Sequence, residues 1–150
     1  MVPKAVSVHR KSVNGDCILV GTRGGEILEV NTITGVPVVY LRNHFEGPLQ
    51  GLAIHPKKAE VFTFGQDGLL AQWDLHNRRQ IRYAKLDTPG DVVTYSNSGD
   101  YLVIGMENGS IIVLDSKMKP VAKRVDRHGQ KITCIKFSPN DYVCAVGATD

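Results

Sequence analysis

Several residue types and patterns are scarce in this chain of 150 residues, and each scarcity closes off a class of protein. No apolar run approaches the roughly 18 residues that a membrane-spanning helix needs. The opening MVPKAVSVHRK lacks the apolar core of a secretory leader, so a non-secreted, membrane-free protein is expected. The three cysteines, Cys17, Cys134 and Cys144, are an odd number without a CxxC spacing. That argues against a disulfide framework or a zinc ribbon, and their apolar surroundings predict buried, reduced thiols in a cytosolic protein. No segment sustains apolar residues at i, i+3, i+4 and i+7, so no helix is expected. The five histidines are scattered without an HxxxH pair. The glycine clusters open strands, not helices, so they build neither a GxGxxG turn nor a P-loop, and no GxSxG frame occurs. An enzyme, a metal site and a cofactor are therefore not expected. The formal net charge of +3 permits acidic partners without demanding them.

What the chain has is a repeat. GTRGGEILEVN (21–31), GQDGLLAQWD (65–74) and GMENGSIIVLD (105–115) each run from a Gly through a tight polar turn and an extended apolar stretch to a closing Asn or Asp. The closing residues Asn31, Asp74 and Asp115 are spaced by 43 and 41 residues. Trp73, the only tryptophan, stands beside Asp74 in the second copy. A second frame precedes each copy. SVNGDCILVG (12–21) and SNSGDYLVIG (96–105) share it, SPNDYVCAVG (138–147) follows it with Asn-Asp replacing Gly-Asp, and HPKKAEVFTF (55–64) has its length. A period near forty with strand-like content marks a repeat architecture.

Each unit reads as four strands. The first lies at Leu49–Ile54, Val92–Tyr95 and Ile132–Phe137, with a weaker version around Ala5–His9. The second is apolar on both faces and must be covered above and below. The third ends at the closing Asn or Asp. The fourth, at Val36–Leu41, Gln80–Lys85 and Pro120–Val125, is more polar. Arg78, Arg79, Arg82 and Lys85, then Lys123 and Arg124, read as charges that protect an outer edge from strand pairing. A repeated four-stranded antiparallel unit of this length is a β-propeller blade. The expectation is an all-β chain of about three and a half blades: residues 4–43, 47–87 and 90–127, and a half blade at 130–150. Closed propellers use roughly 4–8 blades. The chain is therefore expected to be a piece of a longer propeller or to self-associate. Two chains of fourteen strands supply twenty-eight, the number in seven blades, which makes a dimer the expected assembly.

The Trp-Asp closure, the Gly-Asp turn and the spacing resemble the WD-repeat superfamily. That resemblance implies, in a well-formed blade, a hydrogen-bonded tetrad of His, Ser or Thr, Asp and Trp. Only the second unit matches it, with His44, Thr63, Asp67 and Trp73. The last three positions hold Val20, Gly24 and Val30 in the first unit, and Ile104, Asn108 and Leu114 in the third. The wording from GPLQGLAIHPKKAEVFTFGQDGLLAQWD (47–74) to ITCIKFSPNDYVCAVGATD (132–150) is similar to the echinoderm microtubule-associated protein-like family. The similarity implies a non-catalytic protein–protein interaction module of the cytoplasm and cytoskeleton, with tubulin or microtubules as partner. The alternative is a generic WD-repeat scaffold subunit of a ciliary, trafficking or signalling complex. Propeller loops present rigid surfaces, so the candidate partner-binding residues are Arg23, Arg42, Phe45, Gln66, Glu107, Arg127 and His128. A nucleic-acid site would need basic residues interleaved with aromatics. Only HNRRQIRYAK (76–85) comes near, and acidic residues balance it, so no nucleic acid is expected.

Overall fold

A computed structural model describes residues 3–12, 15–22, 25–125 and 129–149, with side chains described from Cys17 onward. Among these there are fourteen β-strands and no helix. They divide between two compact units, Met1–Glu46 and Gly47–Asp150. The first unit holds one four-stranded antiparallel sheet in sequence order: β1 (Pro3–Ser12), β2 (Gly15–Thr22), β3 (Glu26–Asn31) and β4 (Pro37–Arg42). The second unit has two more such sheets and a two-stranded one. β5 (Leu49–Ile54), β6 (Glu60–Gly65), β7 (Leu69–Asp74) and β8 (Arg79–Lys85) form one. β9 (Gly90–Tyr95), β10 (Tyr101–Met106), β11 (Ser110–Asp115) and β12 (Pro120–Val125) form the next, and β13 (Ile132–Phe137) pairs with β14 (Cys144–Ala148). This is the architecture of WD-type propeller blades, incomplete at the fourth sheet.

The repeated letters of the sequence have identifiable local work. Between the second and third strands the chain must reverse in four residues. Gly25, Gly68 and Gly109 take φ of 72°, 71° and 75° at the same place in each turn. Their amides close the turn on Thr22, Gly65 and Met106 carbonyls at 3.3, 2.9 and 3.1 Å. A side chain there would be strained, because this backbone region favours glycine. The closing Asn or Asp builds the following turn with its own side chain. Asn31 Oδ1 accepts from the Ile33 and Thr34 amides, Asp74 Oδ1 from those of His76 and Asn77, and Asp115 Oδ1 from those of Lys117 and Lys119, all at 2.8–2.9 Å. The same bonds hold the Asp74 and Asp115 carboxyls below their ordinary range. The Asn77 amide is the main cause for the first and the Lys119 amide for the second.

The first turns of the last three sheets follow one plan with different chemistry. His55, Ser96 and Ser138 each donate a backbone N–H across the turn, to Glu60, Tyr101 and Val143 carbonyls at 2.8–2.9 Å. Ser96 and Ser138 also accept the Tyr101 and Val143 amides on their hydroxyls. In the His-Pro version, the buried His55 uses Nδ1 to accept the Lys57 and Lys58 amides at 3.0 and 3.2 Å, and its ring packs on Tyr95 at 4.8 Å. Gly99 and Asp141 occupy the same left-handed position, with φ of 83° and 60°. Reading Asn140-Asp141 as the replacement for Gly99-Asp100 sets Asp141 against Asp100, whereas the structure puts it at the glycine position. That conformation costs a non-glycine residue energy. It is held by a clamp on the neighbouring turn, where the Asp141 carboxylate accepts from the Asn97 amide at 2.8 Å and the Ser98 amide at 2.7 Å. Asn97 Nδ2 also donates to Asp141 and to the Ser138 carbonyl.

Burial follows the strand order. The second strands β6 and β10 are almost wholly enclosed, whereas β12 is exposed throughout and β8 mostly so. The main core lies between these two sheets. Ala53, Phe62, Phe64 and Leu70 meet Val93, Leu102, Ile104, Met106 and Leu114. Gly90 passes so close to Phe64 that a β-carbon could not be placed there. A smaller cluster of Val103, Ile132 and Ile135 joins the third sheet to the half blade. The buried-thiol expectation holds only for Cys17, which is 1% exposed. Cys134 and Cys144 are exposed. Both lie on the two-stranded sheet, which lacks the flanking strands that enclose β6 and β10.

Candidate functional site

The turns between second and third strands, and the loops that lead from one sheet to the next, pack against each other. In the first unit the Gly25 turn lies against the 43–45 loop, with Asn43 N–H donating to the Gly25 carbonyl at 3.4 Å. In the second unit Gln66 donates its amide to the Pro48 carbonyl at 3.1 Å, and Glu107 its amide to that of Pro89 at 3.2 Å. Leu86 donates to the Gly68 carbonyl at 2.9 Å, and Asn108 Nδ2 reaches Thr88 Oγ1 at 3.2 Å. Each loop thus has its backbone groups partly satisfied by its neighbour, which fixes the side chains it presents.

Of the candidate partner-binding residues, Phe45 is half exposed on the first unit and Gln66 is exposed on the second. Arg42 is tied by its guanidinium to the Glu26 carboxylate across β3 and β4. Glu107 stands 3.9 Å from Lys131 Nζ, which is also 2.5 Å from the Asp91 carboxylate. The bond from Asp91, with the charges of Asp91 and Glu107, raises the Lys131 ammonium above its ordinary range. Arg23, Arg127 and His128 lie outside the described residues. Sequence reading missed the Lys131–Asp91 pair because its members are separated by a whole blade. The signal available was only that both flank the start of a first strand.

Within the expected tetrad, Trp73 Nε1 donates to Thr63 Oγ1 at 2.8 Å, with both residues half-buried. Asp67 is buried, and its Oδ1 accepts the Leu69 amide at 3.0 Å. Lys85 Nζ donates to the Asp67 carbonyl. His44 belongs to the first unit and is half-buried there. Among the described residues no group of three or more His, Cys, Asp or Glu is placed to hold a metal ion. Arg79, Arg82 and Lys85 stand on β8 and Lys123 and Arg124 on β12, further cations stand in the turns at Lys57, Lys58, Arg78, Lys117 and Lys119, and Lys131 lies beside Asp91 of β9 and Glu107.

Sheet order, turn chemistry and the Trp-Asp closure define a chain of WD-type repeats in propeller blades. The family described as WD domain, G-beta repeat, matches residues 119–150. The chain is similar to the human echinoderm microtubule-associated protein-like 2, 29% identical over 137 residues, covering 91% of this chain and 21% of that protein. It is also similar to the human protein-like 1 and the mouse protein-like 3 of the same name, each 26% identical over 136 residues and 91% of this chain. These matches cover 16% and 15% of the two relatives. The chain therefore spans about a fifth or less of the length of the curated relatives it matches.

Proposed function

We propose that this chain is a non-catalytic protein-interaction module of the microtubule-associated kind, acting in the cytoplasm at the cytoskeleton without a cofactor. The observation that carries the reading is the similarity along 91% of the chain to proteins named as microtubule-associated. The structure supports it with mutually packed loops and with the exposed cations Arg79 and Arg82 of β8 and Lys123 and Arg124 of β12. An acidic partner such as tubulin is attracted to such outer strands over distances of about 10 Å at moderate salt. Phe45 and Gln66 offer the exposed loop contacts on their respective units. Arg23, Arg127 and His128 are proposed to add to the same kind of contact. Thr63, Asp67 and Trp73 are proposed to stiffen the second blade.

Light-scattering mass after size exclusion, with and without purified tubulin dimers, tests this. The expected result is a complex that weakens with added salt and with the double substitution Arg79→Glu, Arg82→Glu. A folded chain that ignores tubulin at low salt would overturn the microtubule reading and favour a scaffold in another assembly. The same run reports the chain's own mass, where self-association into a dimer is the expected outcome.

A further inference from the structure

We propose that the cavity between the β8–β9 loop and the sheet of β9 to β12 is a binding site for a glutamate side chain of an acidic polypeptide. The inference rests on the protein-interaction reading and names the side chain that this one site takes. The cavity has a volume of about 110 Å³, several times the roughly 30 Å³ that one water occupies. The sheets on its two sides, β5 to β8 and β9 to β12, are both complete four-stranded sheets of the second unit.

The repeat explains why there is space. β7 begins on Leu69 and β11 on Ser110, each directly after the left-handed glycine of its turn. Leu69 is 1% exposed and Ser110 2%, so both stand at an enclosed position. A serine fills less of that position than a leucine and puts a hydroxyl where the leucine has hydrocarbon. The Ser110 amide donates to Asn108 Oδ1 at 3.0 Å, but the hydroxyl borders the cavity and has no hydrogen-bond partner among the described residues. A side-chain oxygen so enclosed normally has a partner, and here the cavity is where one fits.

Other donors converge on the same space. Lys123 pairs with Ile112 across β11 and β12, which puts its ammonium on the cavity side of the sheet, and it makes no ion pair among the described residues. Thr88 Oγ1 accepts from Asn108 Nδ2 at 3.2 Å and keeps its own proton to donate. Lys85, also on the wall, donates to the Asp67 carbonyl. Against these stands one carboxylate, Asp87, exposed on the loop. Two ammonium groups and two hydroxyls facing one carboxylate select a ligand that accepts hydrogen bonds and carries a single negative charge. Met106 and Ile112 give the wall an apolar side that suits a short methylene stem. Glutamate supplies both parts, whereas a phosphate dianion has no stem and brings a second negative charge towards Asp87. The Asn108–Thr88 bond and the Glu107 amide on the Pro89 carbonyl tie the two sides together, so little ordering is needed on binding.

The test titrates the 150-residue chain into fluorescein-labelled hexaglutamate at low salt, read by anisotropy, with hexaaspartate and hexaglutamine as controls. Saturable binding is expected for hexaglutamate, weaker binding for hexaaspartate and none for hexaglutamine. Ser110→Leu places in β11 the residue that β7 carries and should weaken binding by about tenfold or more. Lys123→Gln should weaken it as well, and because Lys123 lies on the exposed β12 this variant keeps the test valid if Ser110→Leu disturbs packing. Asp87→Asn should tighten binding. Circular dichroism checks that the variants stay folded. Hexaglutamate that fails to bind, or that binds wild type, Ser110→Leu and Lys123→Gln equally, would overturn the proposal. So would hexaaspartate binding as tightly as hexaglutamate, or a loss caused by Arg79→Glu, Arg82→Glu and by neither cavity variant. Tubulin separates the two claims. A chain that takes hexaglutamate in this cavity but ignores tubulin keeps the site and loses the microtubule reading. A chain that binds tubulin but not hexaglutamate keeps that reading and loses the site.

Discussion

The Trp73–Thr63 hydrogen bond can be isolated by a double-mutant cycle. Trp73→Phe removes the indole N–H while keeping an aromatic ring, and Thr63→Val removes the acceptor at nearly constant shape. At 2.8 Å the bond is of good length. A bond of this kind contributes about 0.5–1.5 kcal/mol net. Both residues are only half-buried, so the orphaned partner left by either single change can find water, and the desolvation penalty stays at the low end. The coupling energy should therefore be about 1 kcal/mol, with each single variant losing about 1–2 kcal/mol. Trp73→Ala, which also empties a ring-sized space, should lose up to about 3–5 kcal/mol. Urea unfolding followed by far-ultraviolet circular dichroism is the suitable assay, because Trp73 is the sole tryptophan and its replacement abolishes the fluorescence signal. Coupling below about 0.3 kcal/mol would mean additive sites. That would refute the claim that Trp73 and Thr63 act as one network.

Gly90→Ala forces a methyl group against the buried Phe64 ring and should destabilise by about 1–3 kcal/mol, measured as a lower urea midpoint at unchanged slope. At Asp141, burial alone would raise the carboxyl, but the Asn97 and Ser98 amides and side chains hold it below its ordinary 3.8. A carboxyl depressed in the folded state stabilises above its unfolded value and loses that contribution as the pH falls through its folded value. The wild-type midpoint should therefore drop between about pH 5 and about pH 3, and Asp141→Asn should show a smaller drop over that interval. An identical acid response in the two would count against the clamp. Iodoacetamide should label Cys134 and Cys144 in the folded chain and Cys17 only after unfolding, as counted by mass spectrometry.

Much of this fold was legible because each strand repeats a pattern that its neighbours confirm. β5, β12 and β13 begin and end where the repeat pattern suggests. The Gly turns and the closing Asn or Asp were visible as columns, though their function as left-handed turn positions and side-chain caps needs the backbone. Contacts between units of the repeat were hidden. The Asp141 clamp joins residues 44 apart, and nothing local in SPNDYV says that the aspartate faces Asn97. The edge charges were legible, since Arg79, Arg82 and Lys85 stand on β8 and Lys123 and Arg124 on β12 as the pattern suggests, whereas the opposite charges beside Arg42 and Glu107 were not. The exposure of Cys134 and Cys144 on the two-stranded sheet was not visible in their apolar surroundings.

Hydrogen exchange of the chain with and without tubulin tests the central claim most directly, because it reports both whether binding occurs and where. The account predicts slowed exchange at β8 and β12 and at the 43–48, 65–68 and 106–109 loops, with the 55–59 and 138–142 turns unchanged. Unchanged exchange throughout, or protection confined to those two turns, would contradict it.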